Sequence, residues 1–162
     1  MVAMMVLSAV LTAGDPNTSH VRTTEPFVRS LIEQGLTRSE TFRQLVNTLN
    51  QSDVVVYIDP KIAQRPLGAY LSHNVVSAGG RRYLHIAVDL HGGDIRLVSL
   101  LAHELQHAVE VSQDPDARDP KGMARLFARL ASRRGCGISN CEETELALEV
   151  QAAVDAELKA AR

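Results

Sequence analysis

His103, Glu104 and His107 stand in the order H-E-x-x-H within residues 97–111, L-V-S-L-L-A-H-E-L-Q-H-A-V-E-V. On an α-helix, residues four apart share a face one turn apart. Two imidazoles can then hold one metal ion while the intervening Glu reaches a water beside it. The surroundings predict such a helix. Leu97, Leu101, Leu105 and Ala108, flanked by Val98 and Val109, form an apolar stripe at helical spacing. At about 100° per residue, His103, His107 and Glu110 fall on the side opposite that stripe. The chemistry indicated is metal-assisted hydrolysis. The competing reading is a solvated polar face whose histidines ligate nothing.

Two imidazoles do not complete a hydrolytic metal site, which needs a further protein ligand and an open position. The last helix, read as residues 142–160, offers Glu142, Glu143, Glu145 and Glu149. Its apolar face is Leu146, Ala147, Val150 and Val154, and on a helical wheel Glu143 falls at the centre of that face. A carboxylate buried there requires a cation or hydrogen bonds. Glu143 is therefore the expected third ligand, with Glu142 and Glu145 in reserve. A helix that starts later would instead leave Glu143 exposed near its first turn, where the helix dipole favours acidic side chains. Glu110 lies too far along a straight helix from His103 to share the ion. It is expected to orient an imidazole or bond an arginine, a surface salt bridge being the alternative.

The elements that must position these groups follow in order. Residues 15–24 read as polar and extended. Residues 25–35 read as a short helix with Phe27, Leu31 and Ile32 inward and Gly35 as its C-cap. Ser39 caps a second helix, 40–50, that buries Phe42, Leu45, Val46 and Leu49. Residues 53–59, D-V-V-V-Y-I-D, predict a strand buried on both faces and stopped at Pro60. Residues 69–77 and 81–90 read as hairpin arms around Ala78-Gly79-Gly80. In the second arm Leu84, Ile86, Val88 and Leu90 form a dry face, and Tyr83, His85, Ala87 and Asp89 a mixed one. As an edge strand facing the cleft, this arm could pair with an extended peptide, bringing His73 and His85 near the metal; a solvated edge with chance histidines is the alternative. Asp94 is the expected N-cap of the metal helix. Residues 112–122 form an exposed loop, and 123–134 a helix with Met123, Leu126, Phe127 and Leu130 inward.

The chain has 162 residues, about one domain, and a net charge of -2. With charges interspersed and 4% aromatics, it lacks the basic surface and stacking platforms that nucleic acid requires, and it has no polybasic membrane patch. A peptide or small molecule is the expected partner. Residues 1–14 read as the remnant of a secretory signal peptide, too short for a stable membrane span and without a preceding Lys or Arg; a buried helix turn is the alternative. Residues 15–162 then form the single domain. Cys136 and Cys141, in G-C-G-I-S-N-C, read as a small-loop disulfide if the protein is exported to the periplasm or outside the cell. They would be free thiols in the cytoplasm, and a second metal site is the sharper alternative.

With His103-Glu104-Leu105-Gln106-His107 and the downstream Glu143-Thr144, the chain resembles the glutamate-type zincins. Residues 38–58, 100–111 and the final E-T-E-L-A look like an uncharacterised group of small bacterial proteins with a minimal zincin-like core. The metzincin pattern H-x-x-G-x-x-H is absent. The resemblance implies an α+β fold: N-terminal helices, a small mostly antiparallel sheet of three or more strands, a metal helix, and a later helix bringing the third ligand. The resemblance says almost nothing about substrate; the residues themselves are read as a peptidase site in which His103, His107 and Glu143 hold Zn2+ and Glu104 is the general base. Such sites use a distal His to stabilise the oxyanion, and no His follows His107. Tyr70, Tyr83 or His85 would have to serve. A metal-stabilised binding or scaffold protein without turnover is the reading from another class, and a non-peptide hydrolase a third.

Overall fold

The computed structural model describes residues 19–61, 68–131 and 143–161. The signal-like segment 1–14, both cysteines and Glu142 lie outside the described residues. The elements are β1 (Val21–Arg22), α1 (Pro26–Arg38), α2 (Glu40–Asn50), β2 (Val54–Pro60), β3 (Ala69–Leu71), β4 (Val76–Ala78), β5 (Arg81–Val88), α3 (Asp94–Gln113), α4 (Pro120–Leu130) and α5 (Glu145–Ala160). The architecture is α+β, with the helices packed on a small sheet.

The sheet is mixed rather than mostly antiparallel. β2 pairs in parallel with both β1 and β5, and β3 and β4 run antiparallel along the far side of β5. The expected hairpin is present at its turn: Ala78 opposes Arg81, and Gly79 and Gly80 have φ of 58° and 76°, which a two-residue type I′ turn requires. Its first arm splits into β3 and β4. β5 is not the edge strand expected from its alternation, because it has neighbours on both sides; periodicity reports which face is dry and is silent on which edges are paired. β3 stands at the edge instead.

Val54, Val56, Ile58, Leu84, Ile86 and Val88 face the helices and share their core. The alternating residues turn the other way, so β2 is not buried on both faces throughout. Val55 is shielded, Tyr57 is half-buried and Asp59 is exposed.

Ser39 caps α2 as expected, accepting the Phe42 N–H at 3.0 Å. α1 runs past Gly35 to Arg38. Gly35 is not a cap but a point of close approach, since a Cβ there would stand 2.7 Å from the Phe42 ring. Phe27 is exposed, and Val28 takes the inward position. α4 begins at Pro120 because Asp119 accepts the Gly122 N–H and proline suits the first helical position. Leu130, expected inward, is exposed.

α3 lies across β2, β3 and β5 and against α5. Gly93 rather than Asp94 is its N-cap; Asp94 is the first helical residue and accepts from Gln34 at 3.0 Å. Its far end is held by Arg82, which is 1% exposed. The guanidinium grips both Asp53 oxygens at 2.6 and 2.9 Å and donates to the carbonyls of Val111, at 2.8 Å, and Asp114, at 2.7 Å. A cation there satisfies orphan carbonyls at the negative end of the helix dipole. Among the described residues no helix is long and apolar enough to cross a membrane.

Candidate metal centre

The polar side of α3 is not solvated: His103, Glu104, His107 and Glu110 are each 5 or 6% exposed. His103 and His107 sit one turn apart with their rings nearly perpendicular and their Nε2 atoms 3.2 Å apart. Glu143 Oε2 lies 3.1 Å from His103 Nε2, and one ligand atom from each of the three residues falls within 4.8 Å of the others. Bonds of about 2.0 to 2.1 Å to a tetrahedral ion would set neighbouring ligand atoms roughly 3.3 Å apart. The spacing therefore fits a shared metal ion. Glu143 Oε2 is also a buried oxygen with no aligned hydrogen bond, a condition that a cation relieves.

Glu143 does not arrive by the route expected from the helical wheel. α5 starts at Glu145, with Thr144 as N-cap accepting the Ala147 N–H at 3.1 Å. Glu143 thus precedes the helix, and its side chain is 45% exposed rather than buried at the centre of an apolar stripe. A β-bridge between Ala131 and Thr144 sets the approach of the chain. Of the supposed apolar face, Ala147 and Val154 are buried and Leu146 is exposed; Glu145 and Glu149 are exposed.

Glu110 orients an imidazole. Its Oε2 lies 2.9 Å from His107 Nδ1, and its Oε1 accepts the Thr144 hydroxyl at 2.7 Å. A carboxylate accepting from Nδ1–H leaves the His107 Nε2 lone pair directed at the centre. Gln151 of α5 interacts with His103. Phe127 of α4 sets its ring against His107, centroids 5.2 Å apart. Thr144 was legible as a cap, a threonine just before an apolar run; nothing in the sequence pointed to Gln151 or to the Phe127 contact.

Glu104 Oε2 accepts the Leu71 backbone N–H at 2.7 Å. Burial raises the Glu104 pKa against the opposing pull of the imidazoles. Burial lowers the His103 pKa, but the carboxylates of Glu143 and Glu104 outweigh it and hold the group above its ordinary value. The His103 imidazole in turn lowers the Glu143 pKa against partial burial. The centre is an ion-paired nest in which acid and base support each other's charge.

The three oxyanion candidates are not drawn to the ligands. Tyr83 and His85 alternate with the core-facing residues of β5 and so point away from α3. His85 stacks on Tyr57 at 5.6 Å and lies 3.1 Å from Asp59. Tyr70 is exposed and bonded to the Lys61 ammonium. His73 comes nearer, its ring stacked on Phe127 at 5.4 Å. Comparisons of the chain with protein-family models, with curated proteins and with solved structures give no match.

Proposed function

We propose that the protein is a zinc-dependent peptidase of the glutamate-zincin kind. The observation that carries this reading is the cluster of His103, His107 and Glu143 ligand atoms, all within 4.8 Å of one another, with Glu104 on the same helix as the two histidines. Bound zinc would supply a water of near-neutral pKa and polarise the scissile carbonyl. Glu104 would be the general base of such a site, taking up a proton and giving it to the leaving amine. Its burial favours the protonated form needed for the return, and the Leu71 N–H holds its carboxylate in place.

β3 supplies the edge along which a peptide would align. Ser72 N–H bonds inward to His85 O, whereas Leu71 N–H turns outward to Glu104. By this alternation Ala69 also directs its backbone groups outward, where a strand-like substrate can pair with them.

A second reading, a metal-stabilised binding protein without turnover, is favoured by the position of Tyr70, Tyr83 and His85 away from the ligands. One experiment separates the two: metal analysis of the purified protein beside digestion of a peptide library with and without chelator. Stoichiometric zinc with chelator-sensitive cleavage supports the peptidase. Zinc without cleavage supports the binding protein, and no zinc removes both.

A further inference from the structure

We infer that Thr144 is a positioning residue that couples the two halves of the metal centre; the inference rests on the metal reading proposed above. Its side chain is buried, and its one hydroxyl makes two hydrogen bonds of opposite sense. The oxygen accepts from the Ala147 N–H at 3.1 Å, and the proton goes to Glu110 Oε1 at 2.7 Å. The other Glu110 oxygen takes the His107 Nδ1 at 2.9 Å. The chain of bonds therefore runs from the first turn of α5 through Thr144 and Glu110 to the ring of a ligand on α3.

Thr144 is also covalently next to Glu143, the ligand that α3 does not supply. His103 and His107 are placed relative to each other by helix geometry alone. Helix geometry does not place Glu143 relative to them, because it stands outside α5 and its approach depends on the Ala131–Thr144 bridge and on how the start of that helix is docked. The Thr144 hydroxyl sets both quantities at once: where α5 begins and which way the His107 ring faces. Outer partners that hold ligands in this way carry a measurable share of metal affinity.

The hydroxyl has two separable roles, cap and donor, and substitutions divide them. Thr144→Ser keeps both. Thr144→Asp keeps an excellent cap but has no proton to donate and sets a charge against Glu110. Thr144→Val keeps the shape and loses both roles. The full chain and each variant are titrated with Co2+ and with Zn2+, and the melting of the metal-free forms is followed by circular dichroism. Thr144→Ser is expected to bind like wild type, and Thr144→Asp to fold but bind roughly 10- to 100-fold more weakly. Thr144→Val is expected to lose both affinity and apo stability.

Wild-type affinity in Thr144→Asp would overturn the coupling and leave Thr144 a simple cap. A wild-type protein that binds neither metal would remove the centre itself, and the coupling with it. If Thr144→Asp does not fold, amide exchange at Ala147 in the wild-type protein decides: zinc slows it if the hydroxyl couples the two ends, and an unchanged rate overturns the inference.

Discussion

The backbone N–H of Leu71 donates to Glu104 Oε2 at 2.7 Å, joining the edge strand β3 to the middle of α3. The bond gives a buried carboxylate a backbone hydrogen-bond donor. It also fixes the outer edge of β3 over α3, so that under the proposed function the strand that would meet a substrate and the residue that would act as general base are held by the same contact.

Replacing Glu104 with Gln leaves an oxygen to accept from Leu71 and removes the proton acceptor. Zinc content should be unchanged, and peptide cleavage should fall by about 100-fold or more, the usual contribution of a positioned base. Metal analysis and cleavage rates on one preparation check this. A variant that loses its zinc would show that Glu104 is a ligand and that its role here is misassigned.

Glu143→Gln replaces the proposed third ligand with a neutral amide and should weaken zinc binding beyond the roughly 10- to 100-fold typical of losing an outer partner. Glu145→Gln, one residue past the cap and exposed, should leave affinity near that of wild type. Competition with a chromophoric chelator measures both. Equal losses in the two variants would point to a general effect of charge near α5 instead of coordination.

The metal-free protein should lose stability as pH rises above 6.5. The raised His103 pKa gives a contribution fully present below the ordinary value of 6.5 and lost as pH climbs through the folded-state value. Glu104, raised by burial from 4.5, acts in the same sense from a lower pH. Glu143, lowered by His103, contributes above 4.5 and loses its contribution as pH falls. Zinc needs deprotonated ligands, so its stabilising effect should grow with pH over the range where the apo form weakens. Melting curves with and without zinc, taken on both sides of 6.5, test the crossing. Parallel curves would refute it.

Asp53→Asn strips the buried Arg82 guanidinium of its counter-charge while leaving the carbonyls at the end of α3. Given the partial exposure of Asp53, we expect a loss of about 2 to 3 kcal/mol in unfolding free energy. Arg82 also lowers the Asp53 pKa, so this contribution is present above the ordinary value of 3.8 and fades as pH falls through the folded-state value. Chemical denaturation of the two proteins at neutral pH and in acid reads both effects, and a cost that persists undiminished in acid would contradict the assignment.

Features that depend on neighbours within a turn or two were legible in the order of the residues. The pairing of His103 with His107 follows from their spacing on one helix, the capping of α2 from Ser39, and the I′ turn from two adjacent glycines. Each is decided by backbone geometry over a few residues. Tertiary structure decided the rest. A wheel drawn through Glu143 assumed a helix that the Thr144 cap denies it, and the residue reaches the centre because Thr144 bridges to Ala131 and bonds Glu110. Likewise, β5 has the alternation of a strand with one dry face, which any strand so buried would show. Its pairing with β2 on one side and with β3 and β4 on the other is a non-local choice. That choice moved the open edge to β3 and brought the Leu71 N–H to the Glu104 carboxylate, a contact between residues 33 apart in which Leu71 takes part through its backbone and so leaves no trace in the side-chain pattern.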